Sequence, residues 1–397
     1  MPGPLEGIKV IDVSAVISGP WCCQILADQG ADVIKVEPRQ IGDITRIGAF
    51  RVGTVSAMYA SANRGKPSVA LDLSTAEGIA VFKKLAADAD VVVQNFRPGA
   101  VDRMGIGPAD LHAINPNLIY VSISGFGPDG PYADWRVYDP VIQAVSGVVP
   151  TQQSQDIPIP DLIRTLVCDK TTAQAAAQAI TAALFARATG KAAGQHLVVP
   201  MLDSSLYYLW PDTFMGHTLR GPEVVKGAVL SQIYRLWQAA DGFFVYFTAS
   251  DVEFQGVCRA LGHPEWIADE RFATPQARQN LESQIALGEL LRTAFLSETV
   301  DELIVKMRAE QVPCAKVNSP DDVFTDPQVV HNGVIHTWEH PTIGTVTQPR
   351  PPVRWSHTRH EPVWSVDQLG ESTESVLRAH GYDDDGLAAL RAAGVIG

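Results

Sequence analysis

The sequence is short of cysteine and of positive charge, and it has no long uninterrupted apolar run; each shortage removes a class of protein. Its five cysteines, Cys22, Cys23, Cys168, Cys258 and Cys314, form an odd set with no C-x-x-C spacing and no neighbouring His. Neither a zinc site nor a disulfide framework is expected, no metal is expected elsewhere, and the thiols fit a reducing cytoplasm. Lys9 and Asp12 interrupt the first apolar segment, and no basic start precedes a long apolar stretch. A secretory leader and a membrane span are therefore not expected. With 31 Lys and Arg against 44 Asp and Glu, the formal net charge is -13. That balance leaves no broad basic face for nucleic acid, although a local cluster of Arg could still hold one phosphorylated ligand.

What is present describes a soluble globular chain of 397 residues, 46% hydrophobic and 19% charged, a length that exceeds what one core usually serves. Over the first 200 residues, short Val- and Ile-rich runs alternate with amphipathic stretches, the pattern of a parallel sheet wrapped by helices. The runs are 9–14, 32–37, 68–73, 90–95, 119–124 and 196–202. Helices are expected over 19–29, 75–87 and about 170–188. The second should open on a capping box of Ser74 and Glu77. After Pro200 the alternation stops, and 203–240 reads as a crossing segment carrying Tyr207, Tyr208, Trp210, Tyr234 and Trp237. A smaller α/β unit should follow over 241–330, with a strand at 243–248 and helices near 252–261, 281–296 and 299–310. The proline-rich stretch up to 365 reads as an extended return, and a last helical pair closes the chain.

Three features bear on chemistry. Gly125 to Gly130 matches G-x-G-x-x-G, but it follows the fifth strand and contains Pro128, whereas a dinucleotide fingerprint belongs on the first strand-to-helix turn. It reads as a tight glycine-rich loop. The cations Arg39, Arg46, Arg64, Lys66, Arg97, Arg103 and Arg136 fall near strand ends, and converging guanidinium groups there could hold phosphates. Asp169 stands at the start of the long helix, where a carboxylate serves either as an N-cap or as a nucleophile favoured by the helix amino terminus.

Taken together, Leu5 to Pro20, Leu26 to Pro38, Gly42 to Arg46, Asn63 to Gly78, Asn95 to Gly105, Asn115 to Gly130, Tyr138 to Gly147, Asp169, Gly190 to Asp203 and Val312 to Asp326 resemble, in order, the class III CoA transferases. The resemblance implies an α/β fold: a Rossmann-like large domain with a parallel sheet (1–202, completed by 366–397), a linker (203–240), a small α/β domain (241–330) and an extended return linker (331–365). It also implies an interlocked homodimer. Asp169 stands where that family keeps its catalytic aspartate, which forms an aspartyl anhydride and then an aspartyl-CoA thioester. CoA contacts are implied at Ile17, Ser18, Arg39, Leu71, Asp72, Leu73, Ser74, Asn95, Phe96, Arg97, Arg103, Arg136, Val137, Tyr138 and Asp139. The expected partners are an acyl-CoA and a carboxylic acid, both substrates, with no tightly bound cofactor.

The chain departs from the family's members in places. Formyl-CoA transferase has a glutamine where this chain has Ile17, and a glycine-rich loop where this chain has Val224 to Ile233, which favours a larger or more apolar acyl group than formyl or oxalyl. The small domain and a loop of the linker are expected to supply a lid, with that stretch as the candidate loop. The racemase relatives carry a His where this chain has Tyr138, and a phenol is a poor base near neutral pH. A 2-methylacyl-CoA racemase and a non-catalytic CoA-binding protein are the alternative readings. Cys168, beside Asp169, is expected to be a buried hydrophobe.

Overall fold

The computed structural model describes residues 3–154, 157–225, 227, 229–358 and 360–397. The chain divides into two compact units, one of Met1–Arg220 with Asn332–Gly397 and the other of Gly221–His331.

In the first unit six strands form one parallel sheet: β1 (Lys9–Asp12), β2 (Asp32–Pro38), β3 (Ser68–Leu71), β4 (Val91–Gln94), β5 (Ile119–Ser124) and β6 (Gln195–Pro200). Their spatial order is β3-β2-β1-β4-β5-β6. This is the doubly wound order, and its reversal between β1 and β4 opens a crevice at the carboxyl ends of those strands. The central strands are apolar on both sides, as strands under two helical layers must be. On one face Ile11, Val36, Val69, Val92 and Tyr120 pack with Phe82 and Leu85. On the other, Val10, Val33, Val91 and Val121 pack with Cys22, Leu26, Ala173 and Ile180.

The helices that matter for the site are α1 (Ser18–Ala27), α2 (Ala76–Ala86), α3 (Asp139–Ser146), α4 (Val167–Ala188) and α5 (Met201–Thr213). The small side chains of α4, among them Ala173, Ala176 and Ala177, are buried in the core it shares with α1.

Local structure differs from expectation at four points. Helix α2 is capped by Thr75, whose hydroxyl accepts the Gly78 N–H at 3.0 Å. Ser74 is drawn away because its hydroxyl and N–H both donate to Asp72 Oδ1. Helix α4 begins at Val167, so Asp169 lies inside its first turn and is not its cap. The reason is a carboxylate from another helix: Asp139 Oδ1 accepts the Asp169 N–H at 2.9 Å and satisfies that free amide from outside. The crossing segment opens helically, since α5 belongs to the first unit. Finally, part of the expected extended return is an antiparallel hairpin of Ile335–His340 and Gly344–Pro349. Gly344, at φ 80°, turns the chain, and Trp338 and Ile343 pack against the Val55 and Tyr59 core, so the prolines fall at strand ends and beyond.

The end of the chain completes the sheet. Val376, Leu377, Leu387, Leu390, Val395 and Ile396 enter the α2-side core. The Asp72 N–H donates to Val395 O at 2.9 Å, and Leu71 bridges to Ile396. Ala70 N–H donates to Thr373 Oγ1 across 303 positions of sequence.

The second unit holds a three-stranded antiparallel sheet of Trp237–Gln238, Phe243–Tyr246 and Cys314–Lys316. Its core gathers Phe244, Phe254, Trp266, Phe272 and Phe295 with Leu303 and Met307. Helices Asp251–Ala260 and Val300–Ala309 each open on a capping box, Ser250 with Glu253 and Thr299 with Glu302.

Candidate active site

In the loop from β1 to α1, side chains of Asp12, Lys35, Asp43 and Asn95 hold backbone groups of Ser14, Ala15 and Val16. The Ser14 N–H and hydroxyl donate to Asp12 Oδ1 at 3.1 and 2.5 Å. Ser14 O accepts from Lys35 Nζ at 2.6 Å. Asn95 brackets Ala15, its Oδ1 accepting the Ala15 N–H at 2.8 Å and its Nδ2 donating to Ala15 O at 2.7 Å. The Val16 N–H reaches both oxygens of Asp43 at 3.1 and 3.2 Å. Ile17 then caps α1, and Ser18 begins it; both are buried.

These anchors are themselves buried charges that balance one another. Burial works against the charge on Lys35, but Asp12, then Asp43 and Glu37, more than offset it and raise its pKa. Burial likewise opposes the ionised form of Asp12, and the Lys35 and Lys66 ammonium groups overcome that and hold it below its ordinary value. Such a set is rigid because losing any member strands a charge in the interior.

Asp169 is 6% exposed. Burial, then the negative charge of Asp139, pushes its pKa from 3.8 up to about 6, while the Ser18 hydroxyl and N–H at the amino end of α1 pull it partly back. Asp139 is 1% exposed, and its second oxygen accepts from Gln143 Nε2 at 2.6 Å. Gln143 also donates to Ile163 O and Thr165 O and accepts the Ile163 N–H, so it fixes the strand of chain that leads into α4. A carboxylate so placed is ionised at neutral pH yet poorly solvated.

A cavity of about 390 Å3 opens at the carboxyl ends of β1 to β4, lined by Ala15, Pro38, Leu71, Leu73, Ser74 and Phe96 among others. It lies on the face that α2 covers, whereas Asp169 lies on the face of α1 and α4. The β1–α1 loop joins them: Ala15 lines the cavity, and Ser18 meets Asp169.

The cations expected at the strand ends separate into two groups. Arg46 is spent on Glu37 at 2.6 and 2.8 Å and stacks on Tyr59; Arg64 pairs with Asp28 and Lys66 with Asp12. All three are buried, because acids of the same unit fold against them. Arg39, Arg97, Arg103 and Arg136 make no ion pair among the described residues; Arg39 is half-buried and the other three are exposed.

Two implied CoA contacts have side chains committed elsewhere. The Asn95 amide holds Ala15, and the Asp139 carboxylate holds Asp169 and Gln143. Asp72 accepts from Ser74 and lines the cavity together with Leu71, Leu73 and Ser74. Val137 is packed on Gly125, and Tyr138 is 65% exposed. The anchors Asp43 and Gln143 escaped sequence reasoning; Asp43 carries a signal in hindsight, since it precedes Thr45-Arg46 within a block already singled out.

Cys168 is buried, and burial first, then the nearby carboxylates of Asp139 and Asp169 against an opposing hydrogen bond with Ser205, lifts its thiol to about 11. No helix starts within Gly125 to Gly130; the next begins at Asp139. Of the expected lid at 224–233, residues 226 and 228 lie outside the described residues. Among the described residues there is no cluster of metal-ligating side chains and no helix long and apolar enough to cross a membrane.

A doubly wound sheet with a cavity and a buried carboxylate at its switch point places the protein among α/β enzymes that work at the carboxyl ends of their strands. The model of CoA-transferase family III matches residues 5–373, and the chain belongs to that family, whose members are transferases that take CoA thioesters as substrates. It is 34% identical over 402 residues to human (Homo sapiens) succinyl-CoA:glutarate CoA-transferase, covering 99% of this chain and 90% of the relative. It is 33% identical over 419 residues to formyl-CoA:oxalate CoA-transferase of Escherichia coli O6:H1, covering 98% and 99%. Among solved structures, a CAIB/BAIF family protein from Brucella suis superposes with a TM-score of 0.82 at 32% identity, covering 96% of this chain and 100% of that one. Rv3272 from Mycobacterium tuberculosis, in its orthorhombic form, gives 0.80 at 27% identity, covering 94% and 99%.

Proposed function

We propose that the protein moves CoA from an acyl-CoA to a free carboxylic acid through covalent intermediates on Asp169. The observation that carries this reading is the Asp169 carboxylate itself, buried, raised to about 6 and met by the first N–H of α1 beside the strand-end cavity. The Asp169 oxygen attacks the thioester carbonyl, and the tetrahedral oxyanion collapses to expel CoA thiolate, leaving a mixed anhydride. The thiolate attacks the aspartyl carbon of that anhydride and expels the donor carboxylate, leaving an aspartyl-CoA thioester. The acceptor carboxylate attacks this thioester and frees the thiolate, which attacks the acceptor's acyl carbon and returns Asp169. No proton is gained or lost in the cycle, so no general acid is required.

The nucleotide end of CoA fits the cavity, with Leu71 to Ser74 and Phe96 around it and Arg39, Arg97, Arg103 and Arg136 available to its phosphates. The pantetheine arm would then pass the β1–α1 loop to reach Asp169. Both covalent intermediates hydrolyse readily, so the site has to exclude water. The acids named in the relatives make succinyl-CoA the donor to try first and glutarate the first acceptor, while Ile17 in place of a polar residue favours these over oxalate.

The exposed aromatics of α5, with Tyr207 at 86%, support a second copy of the chain covering that helix, and the five free thiols suit a reducing compartment. Incubating the enzyme with succinyl-CoA and digesting it should yield an Asp169 peptide carrying CoA, and hydroxylamine should discharge it. Transfer to glutarate without any such adduct, or full activity in Asp169→Ala, would defeat this reading.

A further inference from the structure

Val16 has φ 70°, in the left-handed region. A β-branched residue is strained there, and the chain places glycine at most of its other left-handed positions, Gly30, Gly42 and Gly65 among them. Strain of this kind persists only where the surroundings over-determine it. Here they do: Asp43 accepts the Val16 N–H, Asn95 accepts the Ala15 N–H and donates to Ala15 O, and Lys35 donates to Ser14 O. These contacts come from Lys35 within β2, from Asp43 in the turn after it and from Asn95 just past β4, and all act on backbone atoms. Two residues later Ser18 begins α1, and its N–H and hydroxyl hold down the pKa of the Asp169 carboxyl.

We propose that Val16 is a positioning residue, whose strained turn locks the amino end of α1 against Asp169 and so fixes the direction in which that carboxylate attacks. Glycine would adopt the same backbone more easily and would also leave it freer to relax. An attacking oxygen that wanders loses rate without losing substrate affinity. The inference rests on Asp169 as nucleophile.

The test compares Val16→Gly with Val16→Ala in the full chain, using succinyl-CoA and glutarate, urea unfolding, and the rate at which the Asp169 peptide acquires CoA. Val16→Gly should unfold at an equal or higher midpoint, yet lose about tenfold in kcat with KM for succinyl-CoA within about twofold. Its acid limb should move to higher pH, because Ser18 then restrains the Asp169 charge less. Val16→Ala keeps a Cβ in the strained region and should stay within about threefold of the parent kcat. The same displacement can be read without substrate, from the pH at which the stabilisation by Asp169→Asn reaches its full value in each Val16 variant. Parent kcat and an unmoved limb in Val16→Gly, an equal loss in Val16→Ala, or a Val16→Gly chain that does not fold would each overturn the proposal. Absence of an adduct on the unsubstituted enzyme would instead remove the nucleophile reading, and this inference with it.

Discussion

Asp139 Oδ1 accepts the backbone N–H of Asp169 at 2.9 Å, so one buried carboxylate anchors the helix turn that carries another. The geometry sets two effects against each other. The hydrogen bond fixes Asp169 in place, while the charge behind it helps burial to lift Asp169 to about 6.

Replacing Asp139 with Asn separates the two. The amide oxygen can still accept from Asp169, but the negative charge is gone, and the amide nitrogen now faces the Gln143 donor. The acid limb of kcat/KM, expected near pH 6 in the parent, should move to lower pH, and kcat should fall several-fold, on the order of 1 kcal/mol, as the 163–165 segment loosens. A pH–rate profile checks both; a limb that stays in place would show that the Asp139 charge does not act on Asp169.

Asp169→Asn should abolish transfer and stabilise the fold. The folded pKa lies above the unfolded one, so the carboxyl contributes no penalty below about pH 4 and its full penalty above about pH 6. A rise of about two units corresponds to up to about 3 kcal/mol. Urea unfolding at pH 7.5 should therefore show Asp169→Asn the more stable, and at pH 4 the difference should vanish.

The two groups of arginines predict opposite phenotypes. Arg103→Gln, on the surface, should raise KM for succinyl-CoA about tenfold, more at low salt, with little change in stability. Arg46→Met would strand Glu37 in the interior and cost about 3 to 5 kcal/mol. Steady-state kinetics beside chemical denaturation distinguishes them, and a KM unaffected by Arg103→Gln would remove that side chain from the CoA site.

At the start of α2, Thr75→Ala should cost about 1 kcal/mol because it strips the cap from Gly78. Ser74→Ala removes only an exposed bond to Asp72 and should stay within about 0.5 kcal/mol. Unfolding midpoints of the pair decide which residue caps the helix.

The sheet was legible because its information is local: runs such as Ile119–Ser124 are short, rich in β-branched residues and bounded by turn residues, which suits a buried strand better than a helix. Asp169 was legible as a candidate for the same reason, standing at the head of a long apolar helix. Its partner was not, since the Asp139 contact spans 30 positions and depends on how α3 meets α4. The choice of cap between Ser74 and Thr75 turned on a competitor, Asp72, that suits either pattern. Which cations stay free is likewise a tertiary matter: nothing in the neighbourhood of Arg46 or Arg103 says that only the first will find a buried acid.

The outer strand of the sheet borrows its finish from far downstream. Ser68 and Ala70 of β3 are tied to Asp367 and Thr373, and the cavity wall at Leu71 leans on Val395 and Ile396. A ribosome that has already produced every strand of the sheet must translate well over a hundred further codons, on the order of ten seconds or more, before this rim exists. Newly made chains therefore pass through an interval with an unfinished edge, and the wall of the strand-end cavity is completed late in the protein's own birth.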